Sequence, residues 1–181
     1  MTTKYLAGVA SILFTVGVQA ATMGNYVPFS QQDYINNGYN GPGVKAPLNG
    51  NQFDPMVCID GRRVPGVVSA DGNCYVEYKK NWRNSDYSIL MAPSGGYTWK
   101  RIGRGYNLTG KEITGGARDS GEYSYHCMAE KFIDGYGKIK VVGKYIPNQD
   151  RCYLTTGEGE RDRTHIDIDY WRSPAWILVA N

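Results

Sequence analysis

Apolar and polar residues alternate over short runs through most of the chain, and no segment has a convincing helical period. In the run 123–132, Tyr125 and Cys127 share one face, and His126 and Met128 share the other. A period of two predicts half-buried antiparallel strands. In the second half of the chain the predicted strands are 97–102, 113–117, 123–132, 139–142, 144–146, 152–155 and 165–171.

The first half carries shorter apolar runs separated by turn signals. Asp71-Gly72 is a strong hairpin signal between two of these runs. The predicted strands here are 56–59, 67–69, 74–78 and 87–91, and the tail 176–179 is expected to add an edge strand. The pattern predicts an all-β fold of packed antiparallel sheets.

Two stretches of the chain follow the same plan. Gly66 precedes a short strand, a turn and Cys74-Tyr-Val, and Gly143 precedes a short strand, a turn and Cys152-Tyr-Leu. A polar loop and an alternating strand follow in both. We therefore predict two tandem repeats, a degenerate first one over 53–98 and a complete second one over 99–173, with a tail over 174–181.

The four cysteines occupy matching places in these two stretches. Cys58 precedes Gly66 as Cys127 precedes Gly143, which favours one local bridge per repeat, Cys58–Cys74 and Cys127–Cys152. The alternative is buried free thiols beside a core. There is no C-x-x-C pair and there are only two histidines, so we expect neither a zinc site nor another metal or cofactor.

The N-terminal segment is typical of a secretory signal. Lys4 precedes an apolar core over 5–16, and a small-residue cleavage site ends at Ala20, which predicts a signal peptide over 1–20. A membrane anchor is the alternative, but the apolar core is shorter than the ~20 residues of a spanning helix. We expect a secreted protein, extracellular, or periplasmic if the organism is bacterial.

Residues 21–52 differ in composition from the rest of the chain. They are rich in Asn, Gly and Pro and poor in charge, which indicates either a mobile leader or an extended N-terminal arm docked on the domain. The formal net charge of the whole chain is +3 with both signs interspersed, so no nucleic-acid partner is expected. The 15 tyrosines suit amphipathic binding surfaces.

The order of motifs from Trp99 onward resembles the DM9 repeat. Trp99 is followed by G115-G-A-R-D-S-G, Y125-H-C-M-A, G143-K and C152-Y-L-T-T-G-E-G-E. The first repeat matches only in its later half. Members of that family build antiparallel sheets from tandem repeats and bind mannose-type sugars, so the resemblance implies a lectin-like, carbohydrate-binding protein.

The resemblance also implies a set of sugar-binding residues. Asp119 and Lys144 match the family's sugar-contacting acid and lysine, and Glu160 matches the acid of its glycine-rich loop. A carboxylate and an ammonium can grip a sugar diol, and Trp99 is a candidate for stacking on the ring. Each residue also has an ordinary structural role: a turn aspartate, an edge-strand lysine or a core tryptophan.

Other functions fit the sequence less well. Val67 stands where the first repeat should carry the lysine, and Trp82 near where it should carry the loop glutamate, so we expect at most one complete site. Nucleophile-elbow and H-E-x-x-H motifs are absent, and we expect no enzyme, with a glycan hydrolase as the weakest candidate. A structural or adhesive protein-binding module is the main alternative to a lectin. The sequence leaves a homodimer open.

Overall fold

The computed structural model describes residues 22–46, 55–77, 81–92, 96–117, 121–133, 137–155, 164–169 and 171–181. These residues form two sheets and one short helix. Nearly all strand pairs are antiparallel, so the all-β prediction is confirmed. The exception is the short strand β1, which runs parallel to its neighbour.

One sheet has six strands, which we call the six-stranded sheet. In spatial order its strands are β2 (Tyr26–Ser30), β7 (Asp86–Leu90), β3 (Val57–Ile59), β4 (Pro65–Val68), β5 (Cys74–Glu77) and β6 (Asn81–Asn84). Helix α1 (Gln31–Asn36) follows β2 directly, and the Ser30 hydroxyl caps it by accepting a hydrogen bond from the Asp33 N–H.

The other sheet has eight strands, which we call the eight-stranded sheet. Six of its strands, in spatial order, are β8 (Tyr97–Ile102), β14 (Ala175–Ala180), β10 (Tyr123–Ile133), β11 (Gly137–Ile146), β12 (Arg151–Leu154) and β13 (Thr164–Asp167). Strand β9 (Ile113–Ala117) also pairs with β10, and β1 (Thr22–Met23) pairs with β9.

The two sheets share the same order and register. Cys58 pairs with Gly66 across β3 and β4, and Cys127 pairs with Gly143 across β10 and β11. On the other side of the cysteine strand, Cys58 pairs with Ile89 and Cys127 with Ile177. The paired positions around each disulfide therefore have counterparts in the other sheet.

Two disulfides join the predicted partners. Cys58 bonds to Cys74 with Cα atoms 6.1 Å apart, and Cys127 bonds to Cys152 with Cα atoms 6.0 Å apart. The predicted pairing is confirmed. In each sheet the bridge links the first and third strands of a β-meander and lies within a buried apolar cluster.

Apolar side chains form three clusters. One surrounds each disulfide, and the third lies between the sheets and includes Val67, Leu90, Ile113, Val142 and Leu178. Alternate residues of a strand face opposite sides, so each sheet is buried on both faces near its centre. That double burial explains why the central strands, such as β14, read as continuous apolar runs.

Several strand predictions differ from the structure. The tail strand β14 lies between β10 and β8 rather than at an edge, since both of these strands pair with it. Its Ile177 and Leu178 are buried on opposite faces. The predicted strands 139–142 and 144–146 are one strand, β11. The run 165–171 ends as a strand at Asp167, and beyond it Asp169 forms an isolated antiparallel bridge with Ser173.

The segment 21–52, which we interpreted as an arm, contributes to both sheets through its described residues 22–46. Strand β2 extends the six-stranded sheet along β7, and β1 lies beside β9. Helix α1 was not predicted, because a six-residue helix that buries only Tyr34 has too little apolar periodicity. No helix within the described ranges has the length and apolar character needed to cross a membrane.

Candidate ligand site between the sheets

A row of polar side chains crosses the inner face of the eight-stranded sheet, the face that meets the other sheet. His126 on β10 lies directly opposite Lys144 on β11, and Lys144 lies opposite Tyr153 on β12. Directly opposed residues of antiparallel strands point to the same face. The sequence positions these three side chains side by side because each falls one residue from a cysteine or glycine of the framework.

Lys144 reaches across to the six-stranded sheet. Its Nζ lies 2.8 Å from Oε2 of Glu77 and donates a hydrogen bond of 2.5 Å to the Glu77 backbone carbonyl. Both side chains are only 1% exposed. Two charges are stable in such a place only when they pair closely, because each loses its hydration. The Lys144 Nζ also lies 5.6 Å from the centroid of the Tyr153 ring.

His126 is completely buried beside this pair in the sheet. Its Nε2 shares a hydrogen bond of 2.6 Å with the Tyr26 hydroxyl of β2. Burial disfavours the imidazolium and lowers the pKa of His126 to about 3. His126 is therefore neutral at physiological pH, and Lys144 is the cation of this row.

Four buried polar atoms near this row have no hydrogen-bond partner among the described residues. They are Trp99 Nε1, Ser124 Oγ, His126 Nδ1 and Thr155 Oγ1. Ser124 lies two residues before His126, and Thr155 two residues after Tyr153, so both project from the inner face. Buried polar atoms without partners are rare in folded proteins, and each of these could form a hydrogen bond with a bound water molecule or a ligand group.

The predicted sugar-binding residues are not all assembled in one place. Trp99 and Lys144 share the inner face, but β14 and β10 separate their strands, which puts their backbones about 14 Å apart at ~4.8 Å per strand. One sugar ring does not span that distance. Asp119 and Glu160 lie outside the described residues.

Glu77 is the site residue that the sequence did not reveal. It ends β5 in the first half of the chain and lies 67 residues from Lys144. The only signal was an acid directly after the apolar Cys-Tyr-Val run of that strand. The counterpart of Lys144 in the six-stranded sheet is Val67, which pairs with Tyr75 as Lys144 pairs with Tyr153.

The described residues contain no group of three or more His, Cys, Asp or Glu side chains that could hold a metal ion. The acid–amine pair, the tyrosine ring and the unpartnered polar atoms suit a neutral, hydroxyl-rich ligand. A scan against models of known protein families and a search of curated proteins found no match to this chain.

Proposed function

We propose that this protein is a secreted carbohydrate-binding protein with lectin-like recognition of mannose-type sugars. The observation that carries the proposal is the Lys144–Glu77 pair, which lies beside Tyr153 and among buried polar atoms without partners. The motif order that resembles the DM9 repeat supports it independently. The two disulfides suit an oxidising compartment and so support secretion.

The pair has the chemistry that a sugar diol needs. The Glu77 carboxylate accepts hydrogen bonds from two neighbouring hydroxyls, and the Lys144 ammonium donates to their oxygens. The unpartnered Ser124 and Thr155 hydroxyls add a donor and an acceptor each. In this proposal Glu77 has the role for which the sequence suggested Asp119.

Binding must uncover the pair, because both side chains are buried in the ligand-free protein. Glu77 is the last residue of β5, and Tyr153 is the penultimate residue of β12, so the pair lies near strand ends. We expect the association to be slower than binding to a preformed surface, because it requires a conformational change.

A second candidate function is a structural or adhesive module without sugar affinity. The burial of Lys144 and Glu77 favours it, because this ion pair joins the two sheets and is only 1% exposed. In that case the pair contributes to folding and not to recognition.

A glycan array with the disulfide-bonded protein separates the two candidates. We expect binding to mannose-type glycans that is lost in Lys144→Met. Because that variant leaves a buried carboxylate without its partner, we also propose Lys144→Met/Glu77→Leu, which replaces the whole pair by apolar groups and should fold. No binding by the wild type would refute the lectin proposal, and normal binding by the folded double variant would refute the assignment of the site to the Lys144–Glu77 pair.

A further inference from the structure

The eight-stranded sheet carries an extension that the six-stranded sheet lacks. Strands β10 and β11 are 11 and 10 residues long, whereas their counterparts β3 and β4 are 3 and 4 residues long. We call residues 129–133 of β10 and 137–141 of β11 the overhang. The disulfide framework does not need this length, since the shorter sheet forms the same framework without it.

The two faces of the overhang differ. One face carries Ala129 and Val141, which are buried in the cluster around the Cys127–Cys152 bridge. The other face is a continuation of the inner face beyond the contact between the sheets. It carries Glu130 opposite Lys140 and Phe132 opposite Lys138.

This open face combines aromatic and cationic groups. Phe132 is 66% exposed, and Lys138 is exposed beside it. Trp176 is half-buried on the neighbouring β14, with the Lys140 Nζ 4.9 Å from its ring centroid. Arg101 pairs with Trp176 from β8 and is also exposed.

We propose that this face, formed by Arg101, Glu130, Phe132, Lys138, Lys140 and Trp176, binds an acidic polysaccharide. Three cations against one carboxylate give the face a positive charge that complements carboxylate or sulfate groups. Aromatic side chains stack on the apolar faces of sugar rings, and Glu130 accepts hydrogen bonds from hydroxyls. The site is separate from the buried Lys144–Glu77 pair and does not depend on it.

The dimensions of the face fit a polymer better than a single sugar. Arg101 and Lys140 lie on strands three steps apart, about 14 Å at ~4.8 Å per strand.

The corresponding positions of the six-stranded sheet give no such surface. Pro28 stands in the place of Arg101, and Ser88 in the place of Trp176.

An anionic membrane surface suits the same charges less well. Docking on lipid requires a broad apolar face that inserts below the cations. Here Phe132 is the one exposed aromatic residue of the face and is paired with Lys138, and the Glu130 carboxylate lies on the same face. Sugar hydroxyls can use that carboxylate, whereas a lipid surface repels it.

Surface plasmon resonance on immobilised chondroitin sulfate tests the proposal, with neutral mannan and phosphatidylserine vesicles as comparison surfaces. We expect binding to chondroitin sulfate that weakens about tenfold or more in Lys138→Ala/Lys140→Ala. The matched control is Lys100→Ala/Lys111→Ala, which removes two exposed lysines elsewhere and should change the affinity less than about twofold.

Phe132→Ala, which removes no charge, should also weaken binding to chondroitin sulfate. The folded Lys144→Met/Glu77→Leu variant should bind it normally, which separates this site from the proposed neutral-sugar site. Absence of binding to chondroitin sulfate would overturn the proposal. The proposal would also be overturned if the two double-lysine variants lost equal affinity for chondroitin sulfate, or if the protein bound only to the vesicles.

Discussion

The two sheets share one framework but differ in the side chains that they place on it. Each has a meander bridged by a disulfide, with a glycine opposite the first cysteine. At matching positions, however, the six-stranded sheet has Val67 and the eight-stranded sheet has Lys144. The framework therefore sets the fold, and at this position the eight-stranded sheet carries a buried cation whose carboxylate partner, Glu77, lies on the six-stranded sheet.

The glycines show why the framework is shared. A Cβ on Gly66 would lie 2.1 Å from the Tyr75 carbonyl oxygen, and a Cβ on Gly143 would lie 1.9 Å from the Tyr153 carbonyl oxygen. No side chain fits at either place, because the neighbouring strand passes too close. Both meanders need this glycine, whatever else their strands carry.

The largest expected change in stability comes from replacing Lys144 by valine, the residue at the matching position of the six-stranded sheet. Lys144→Val should destabilise the protein by about 3–5 kcal/mol, because it leaves the Glu77 carboxylate buried without its cation. Lys144→Val/Glu77→Thr gives each position the residue of its counterpart, Val67 for Lys144 and Thr155 for Glu77. This double variant should recover most of the lost stability. Urea unfolding of the single and double variants measures both. A double variant less stable than Lys144→Val would contradict this explanation.

The disulfides should contribute almost equally. They close loops of 16 and 25 residues, for which the chain-entropy model gives about 3 kcal/mol each. We expect Cys58→Ala/Cys74→Ala and Cys127→Ala/Cys152→Ala to differ by less than about 1 kcal/mol in chemical denaturation. A difference of several kcal/mol would show that the two meanders are not equivalent.

His126 should make stability sensitive to mild acid. Its pKa is 6.5 in the unfolded chain and about 3 in the folded protein. The contribution of neutral His126 to the free energy of unfolding is therefore fully present above pH 6.5. It is lost as the pH falls from 6.5 towards 3, and the loss reaches about 3 kcal/mol at pH 4.5.

The counterpart of His126 in the six-stranded sheet is Val57, which cannot titrate. Unfolding free energies of the wild type and His126→Gln between pH 7 and pH 5 test the assignment, since most carboxylates stay ionised there. The free energy of unfolding of the variant should depend less on pH than that of the wild type. The same pH dependence in both proteins would exclude His126 as the cause of the acid sensitivity.

Glu112 should have a smaller effect that appears at lower pH. Burial raises the pKa of Glu112, but hydrogen bonds from Tyr106 and Thr109 outweigh it and hold the pKa below its ordinary value of 4.5. The carboxylate also accepts a hydrogen bond from the Gly110 N–H. Its stabilisation is present above pH 4.5 and is lost as the pH falls through the folded pKa.

Glu112→Gln should therefore cost about 1–3 kcal/mol near neutral pH and less in acid. Glu130→Gln on the overhang is a matched control and should stay within about 0.5 kcal/mol of the wild type. Thermal melts at pH 7 and pH 3.5 compare the two. A Glu112→Gln variant as stable as the control at pH 7 would show that the carboxylate network is unimportant.

Local pattern was enough to predict the framework from the sequence. Period-two alternation identified most of the strands, although β1, β2 and β6 were not predicted, and the position-matched cysteines identified both bridges. Glu77 could not be predicted, because its partner Lys144 lies in the other sheet and only the packing of the sheets joins them. The interior position of β14 was missed for a similar reason, since an apolar run does not state how many neighbours its strand has.

Glycan binding at the Lys144–Glu77 pair between the two sheets is the central claim, and titration calorimetry with a mannose-type oligosaccharide tests it most directly. The wild type and the control Val67→Ala, which alters the matching position of the six-stranded sheet, should both bind. The folded Lys144→Met/Glu77→Leu variant should give no heat of binding. Equal binding by all three proteins, or none by the wild type, would contradict the claim.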